Sequence, residues 1–169
     1  MTAAEIAPDI LAYYDERTDE DTRLSRTADG ALELVRTREI LRRHLPPPPA
    51  TVLDVGGGTG IHARWLAAEG YAVHVVDPVP RHVARAARVP GCTAERGDAR
   101  ALPEATVYGV EGPGWAMLRA VEVHTGTPVT DSPLFTAALE AARFADGYPD
   151  LLAASSHLLA VAGGPAQEG

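Results

Sequence analysis

Three aspartates, Asp54, Asp77 and Asp98, stand in or directly after short apolar runs of the chain. The segments between these runs have helical apolar spacing. Such an alternation of strand and helix predicts right-handed crossovers and a parallel sheet. The carboxyl ends of parallel strands meet at one edge of the sheet, where open α/β sheets bind their ligands. The three carboxylates therefore predict a single ligand site.

A glycine loop begins two residues after Asp54 and leads into a segment with helical spacing that starts at Ile61. Its sequence is Gly56-Gly57-Gly58-Thr59-Gly60. Glycine permits tight turning and a close approach of the backbone to a ligand. The first turn of a helix offers free N–H groups and the positive end of its dipole. The loop therefore predicts a site for an anionic or carboxylate-bearing ligand.

The other two aspartates indicate that this ligand is a nucleoside. Asp77 follows Gly60 by 17 residues, at the end of the second apolar run. A carboxylate at this place accepts hydrogen bonds from ribose hydroxyls. Asp98 follows after 21 more residues, and its carboxylate can accept a hydrogen bond from the exocyclic amine of adenine.

Together, these segments resemble the first three motifs of class I S-adenosylmethionine (SAM)-dependent methyltransferases. The matching segments are Leu53-Asp54-Val55-Gly56-Gly57-Gly58-Thr59-Gly60, Val75-Val76-Asp77-Pro78 and Gly97-Asp98-Ala99. The resemblance implies SAM as cofactor and S-adenosylhomocysteine (SAH) as product, with the ribose at Asp77 and adenine near Asp98 and Ala99. The cofactor-binding residues predicted within the motifs are Asp54, Gly56, Gly57, Gly58, Thr59, Gly60, Asp77, Pro78, Asp98 and Ala99.

A dinucleotide-binding domain is the nearest rival, since Gly58-Thr59-Gly60-Ile61-His62-Ala63 satisfies the G-x-G-x-x-G/A pattern. Asp54 counts against it, because a carboxylate so close to the loop would repel a pyrophosphate. SAM has no phosphate and carries an amine that a carboxylate can help to hold. The third motif also has no part in the dinucleotide fingerprint.

Two flanking regions resemble bacterial small-molecule methyltransferases. The first contains Asp19–Leu24 and Leu32–Thr37, and the second contains Gly109–Trp115 and Leu151–Val161. The resemblance implies a helical N-terminal cap that folds over the cofactor. We accordingly expect Tyr14 and Arg23 to contact the cofactor, with Arg23 or Arg36 at the SAM carboxylate. The alternatives are a core role for Tyr14 and a helix-surface ion pair, with Asp19 or Glu33, for the arginine.

The resemblance fails between the third motif and Thr106–Val110, a segment that resembles the sixth strand of the family. The fourth and fifth strands have no counterpart, which predicts an open edge on the first strand. An internal deletion, an omitted stretch, or occupation of the vacant places by C-terminal strands would each account for this. In the last case the strands could come from a second copy, so a homodimer through the exposed sheet edge is a further expectation.

Composition narrows the remaining choices. The net charge of −8 excludes a non-specific nucleic-acid binder, which needs a basic face. The single cysteine excludes an internal disulfide framework, and the six histidines lack metal-site spacing, so no metal is expected. There is no apolar run of about 20 residues and no leader pattern, so we expect a cytoplasmic protein without membrane contact.

The expected fold class is α/β: a Rossmann-like class I methyltransferase fold with a parallel sheet flanked by helices. We expect one domain over 1–169, with a helical cap (1–49), a SAM-binding half (50–105) and a shortened C-terminal half (106–169). Predicted helices are 5–16, Gly30–Leu45, Ile61–Glu69, Pro80–Val89 and one from Pro133 to about Ala145. Predicted strands are Thr51–Val55, Tyr71–Val76, Cys92–Glu95, Thr106–Val110 and Ser156–Val161. Thr18–Asp29 is a polar stretch to which apolar spacing assigns no element, Glu111–Trp115 is predicted as a loop, and Met117–His124 is ambiguous between strand and helix.

The function that these patterns favour is methyl transfer from SAM to a small molecule. The alternatives are an inactive SAM- or SAH-binding protein, because the strand beside the methyl group is lacking, and an NAD-binding Rossmann protein. No catalytic residue is assigned, because orientation supplies most of the acceleration of an in-line methyl transfer. His157 is expected to be structural, and Trp115 is equally consistent with a substrate lid or a core plug.

Overall fold

The structure is a computed structural model that describes residues 20–97 and 105–163. Their elements in chain order are α1 (Glu20–Arg26), α2 (Ala28–His44), β1 (Thr51–Val55), α3 (Ile61–Ala68), β2 (Ala72–Asp77), α4 (Pro80–Ala86), β3 (Cys92–Arg96), β4 (Thr106–Gly109), α5 (Trp115–Thr125), α6 (Pro133–Ala145) and β5 (Leu158–Val161). Short 3₁₀ turns span Gly112–Gly114 and Pro149–Ala154. The helix predicted over 5–16 lies outside the described residues.

The chain divides into two compact units. The first contains residues 46–97, and the second combines residues 22–45 with 105–163. The N-terminal helices from residue 22 onward therefore cluster with the C-terminal part of the chain and not with the glycine loop.

The first unit is a parallel three-stranded sheet in the order β1–β2–β3 with α3 and α4 as its crossover helices. Burial alternates along its central strand, β2, in which Val73, Val75 and Asp77 are the buried residues. Side chains of a strand point to opposite faces in turn, so these three share the face on which helix residues such as Leu66 are also buried. The expected parallel α/β arrangement is confirmed.

The outer edge of β1 has no partner strand among the described residues, since β1 pairs with β2 alone. Leu53, in the middle of β1, is 59% exposed. The strands β4 and β5 pair with each other as an antiparallel ribbon. Within the described chain they therefore do not fill the place beside β1.

The second unit packs helices around a small core of Ala28, Leu32, Leu118 and Ala138. Helix α6 begins where the sequence predicted, because Ser132 caps it by accepting a hydrogen bond from the Phe135 N–H at 3.2 Å. Its first helical position is Pro133, which needs no N–H donor there.

The polar stretch to which apolar spacing assigned no element is helical, and one loop prediction was wrong. Residues 20–26 form α1, and α2 begins at Ala28 because the Thr27 hydroxyl accepts a hydrogen bond from the Gly30 N–H at 3.2 Å. The segment predicted as a loop before Trp115 is a 3₁₀ turn that runs straight into α5. The ambiguous stretch Met117–His124 lies within that helix.

Candidate functional site

The glycine loop turns the chain from β1 into α3. Gly56, Gly58 and Gly60 have φ angles of +75°, +55° and +83°, a region that side-chain-bearing residues rarely adopt. The Gly56 N–H donates to the carbonyl of Val76 at 2.7 Å, which ties the start of the loop to β2. Gly60 is the N-cap of α3 and is buried. The loop thus reaches a helix N-terminus with the backbone exposed at Gly56, as a ligand cradle requires.

Gly57 has a different reason to be glycine. A Cβ atom at this position would lie 2.6 Å from the Asp54 Oδ2 and 3.0 Å from the Val75 side chain. The missing side chain therefore makes room for the Asp54 carboxyl group beneath the loop.

Asp54 is the electrostatically unusual residue of the site. Its Oδ2 atom is buried and has no hydrogen-bond partner among the residues that the structure describes. Burial, together with the negative charge of Asp77, raises the pKa of Asp54 from 3.8 to about 6. An unpaired buried carboxyl oxygen costs about 1–3 kcal/mol, so the folded chain carries an acceptor that a bound donor would satisfy.

Asp77 has the opposite character, since protein donors surround its carboxylate. Oδ2 accepts a hydrogen bond from the Gly58 N–H at 2.9 Å. Oδ1 accepts one from the Val79 N–H at 2.9 Å and contacts the His82 Nδ1 at 3.2 Å. Both Asp77 and His82 are buried. The predicted ribose acceptor is therefore also the group that joins the glycine loop to the first turn of α4.

His82 was missed by the sequence analysis. It follows Asp77 by five residues, in the first turn of a helix that starts at Pro80. This spacing is the signal that could have identified it, because the first turn of the following helix returns toward the strand end.

The other predicted cofactor residues are distributed as follows. Thr59 is buried inside the glycine loop, and Pro78 is half-buried directly after Asp77. Tyr14, Asp98 and Ala99 lie outside the described residues. The first unit thus brings together Asp54, the loop and Asp77.

The two candidate arginines lie in the second unit, in ion pairs. The Arg23 NH2 donates to the Glu33 Oε2 at 2.6 Å, which is the ion pair held open as an alternative. Arg36 is fully buried, with its NH1 on Glu39 at 2.6 Å and its NH2 on Asp146 at 2.7 Å. A role of either arginine at the SAM carboxylate stays a prediction.

The second unit also contains a cluster of Glu33, Glu111 and His157, whose ligating atoms lie within 4.8 Å of one another. The His157 Nδ1 contacts the Glu111 Oε1 and lies 3.2 Å from the Glu33 Oε2. The other Glu111 oxygen accepts hydrogen bonds from the Ser155 hydroxyl at 2.6 Å and the His157 N–H at 3.0 Å. These contacts join α2 to the segment that precedes β5, and the structural role expected for His157 stays a prediction.

The pKa values of the cluster follow from burial and pairing. Burial raises the pKa of Glu33, although His157 and Arg23 oppose the change. For Glu111, the hydrogen bonds from His157 and Ser155 outweigh burial, so its pKa is lowered. The bond to Glu111 is the main cause that raises the pKa of His157.

Trp115 is half-buried, and its Nε1 donates to the Ala154 carbonyl at 3.0 Å. This bond attaches the start of α5 to the second 3₁₀ turn, which favours the core-plug interpretation. No helix in the described parts of the chain is both long enough and apolar enough to cross a membrane.

A comparison with protein-family models matches residues 28–149 to the family described as "Methyltransferase domain". The chain belongs to this methyltransferase family. The match includes the glycine loop and Asp77, and it confirms the resemblance to SAM-dependent methyltransferases that the motifs indicated. SAM is accordingly the cofactor of the family. A comparison with curated proteins found no match.

Solved structures give more distant likenesses. One is a TehB-like SAM-dependent methyltransferase from Corynebacterium glutamicum (19% identity, TM-score 0.37), with 54% of this chain and 46% of that chain covered. Another is a SAM-dependent methyltransferase from Mesorhizobium loti (28% identity, TM-score 0.35), with 47% and 35% covered. A third is the phosphoethanolamine N-methyltransferase 1 of Haemonchus contortus (23% identity, TM-score 0.43), with 65% and 25% covered. The chain spans less than half the length of each, and the family assignment rests on the family model.

Proposed function

We propose that the chain binds SAM at the glycine loop of the first unit and transfers its methyl group to a small-molecule acceptor. The observation that carries the proposal is the buried Oδ2 of Asp54 beneath Gly57, which has no hydrogen-bond partner within residues 20–97 and 105–163. SAM bears an ammonium group that can donate to such an oxygen, and a charge-assisted bond of this kind contributes about 1.5–3 kcal/mol. The cofactor supplies a methyl group activated by its sulfonium.

The same carboxyl group argues against a dinucleotide. A pyrophosphate at the N-terminus of α3 would lie near Asp54 and Asp77. Burying further negative charge beside these carboxyl groups is costly. A ligand with a cationic centre reduces the repulsion between the two aspartates, whereas an anionic ligand increases it.

A small-molecule acceptor is supported by charge and composition. The chain contains 15 basic and 23 acidic residues, so it lacks the positive excess with which proteins hold the phosphates of nucleic acids. The resemblance of its flanking regions to small-molecule methyltransferases points in the same direction.

One observation favours the alternative of an inactive SAM- or SAH-binding protein. Strand β1 has no neighbour on its outer side among the described strands, and that side is where the family places the strand beside the transferred methyl. The open edge is also where a second copy would add a strand, and sedimentation at several protein concentrations tests this dimer.

Binding is tested by isothermal titration calorimetry with SAM, SAH and NAD⁺. We expect heat with SAM and SAH. Heat with NAD⁺ and none with SAM would overturn the proposal.

The decisive variant is Asp54→Asn, which keeps the shape of the side chain and removes its charge. It should weaken SAH binding about tenfold or more, given the bond strength above, and leave 5′-methylthioadenosine unaffected because that ligand lacks the amine. Glu95→Gln, on an exposed side chain of β3, serves as the matched control.

Activity is tested separately by SAH production from SAM with a panel of small acceptors. Production that depends on an acceptor supports the methyltransferase. SAH binding without production on any acceptor would favour the inactive binder.

A further inference from the structure

The hydrogen bonds of Asp77 limit how it can receive a ribose. A carboxylate accepts about four hydrogen bonds, two on each oxygen. Oδ1 already has two donors, the Val79 N–H and the His82 ring. Oδ2 has one, the Gly58 N–H. Among these described contacts, the remaining acceptor position is therefore on Oδ2, the oxygen beside the glycine loop.

His82 has the position and the chemistry to maintain this arrangement. Its ring lies buried at 6% exposure, with Nδ1 at 3.2 Å from the Asp77 Oδ1. Because Oδ1 of an ionised carboxylate only accepts hydrogen bonds, the proton of this contact belongs to the His82 Nδ1. The Val79 N–H alone would hold Oδ1 by one bond, whereas two donors from different directions oppose rotation of the carboxylate.

We propose that His82 is a positioning residue of the cofactor site. By donating from Nδ1 to Oδ1, it fixes Asp77 so that Oδ2 orders the Gly58 N–H and receives a ribose hydroxyl. This inference rests on the proposed function for its ligand. It identifies the Asp77 Oδ2 as the acceptor through which the site selects the ribose of the ligand.

The test compares three variants. In His82→Asn the side-chain amide takes the place of the Nδ1 donor, and in His82→Leu the volume is kept without a donor. The control His74→Asn replaces a half-buried ring on β2 that contacts Thr93. The probes are SAH and its 2′,3′-dideoxy analogue, in titration calorimetry. His82→Leu should lose about tenfold in SAH affinity, as expected for one hydrogen bond to a charged group, and little for the dideoxy analogue. His82→Asn should recover most of the loss, and His74→Asn should match the unmodified chain.

A readout without ligand separates this inference from the proposed function. Hydrogen exchange of the Gly58 amide, followed by NMR, reports its bond to Asp77. Exchange at Gly58 should accelerate in His82→Leu and stay slow in His82→Asn. Equal exchange in all variants would overturn the positioning role, as would equal losses of affinity for both probes in His82→Leu. If Gly58 exchanges slowly only when His82 is present but the chain binds no SAH, the hydrogen-bond relay is supported and only the proposed function is refuted.

Discussion

Replacing Asp54 by asparagine should make the protein more stable and the cofactor site weaker. A pKa of about 6 in place of 3.8 corresponds to about 3 kcal/mol by which folding disfavours the ionised carboxyl. Because the pKa is raised in the folded state, the protonated form is the favoured one. Its contribution is intact below the ordinary pKa of 3.8 and is lost as the pH rises through about 6. At neutral pH, Asp54→Asn removes this cost.

We therefore expect the stability advantage of Asp54→Asn to grow by about 1–3 kcal/mol between about pH 4 and about pH 7. Urea unfolding of both proteins across this range measures it, with the midpoint and the slope compared at each pH. If the free energy of unfolding depends on pH in the same way in both proteins, Asp54 does not have the desolvated carboxyl inferred here.

Ligand binding should show the converse dependence. If the ammonium of SAM binds the ionised carboxyl, affinity for SAM should fall about tenfold from about pH 7 to about pH 5, the factor by which the ionised fraction changes for a pKa near 6. Binding at the lower pH should release close to one proton, which calorimetry in two buffers of different ionisation enthalpy detects. The dependence should vanish in Asp54→Asn. The same slope in both proteins would assign it to other groups and contradict the proposed contact.

Two further results are expected. Gly57→Ala should abolish SAH binding in calorimetry, because its Cβ would lie 2.6 Å from the Asp54 Oδ2. The added Cβ of Gly58→Ala meets nothing within 4 Å, so this variant should lose only about 1–2 kcal/mol of binding free energy through its positive φ. Equal losses in the two variants would show that binding does not depend on the space at Gly57. In the second unit, the stabilisation that His157 gains from its hydrogen bond to Glu111 should be fully present below the ordinary histidine pKa of 6.5 and be lost as the pH rises through the raised pKa. Urea unfolding of His157→Asn against the unmodified chain should therefore show a difference that shrinks at alkaline pH, and a constant difference would assign the effect to packing alone.

The parallel sheet could be predicted because its signals are local. Strands β1 and β2 of the first unit are short, largely apolar runs, whereas β3 is more polar, and each boundary carries a glycine, a proline or an aspartate. The site followed from the sheet, since topology alone brings the ends of neighbouring strands to one edge. Asp54 and Asp77 could thus be placed near each other without any knowledge of their contacts.

What the sequence could not provide is the difference between these two carboxylates. The pattern treats both as acidic residues at strand ends, yet donors surround Asp77, whereas one Asp54 oxygen has no partner among the residues that the structure describes. This difference depends on the direction of individual N–H groups, and on a histidine whose partner lies five residues earlier. Apolar spacing gave no bounds for helix α1 for a similar reason, since the Thr27 cap separates two helices within one polar stretch.

The contrast between the two aspartates also bears on why the site should prefer a cation. Burial, with the negative charge of Asp77 as a second cause, raises the pKa of Asp54 to about 6, so this carboxyl group loses part of its ionisation as the pH falls from neutral toward 6. A ligand that brings a positive group to Asp54 favours the ionised carboxyl and offsets part of its desolvation cost. A donor that satisfies the Asp54 oxygen gains affinity from this contact, and a cationic donor gains more because it also favours the ionised carboxyl. We therefore expect specificity for an amine-bearing nucleoside over a pyrophosphate from this oxygen, which has no partner in the part of the chain that the structure describes.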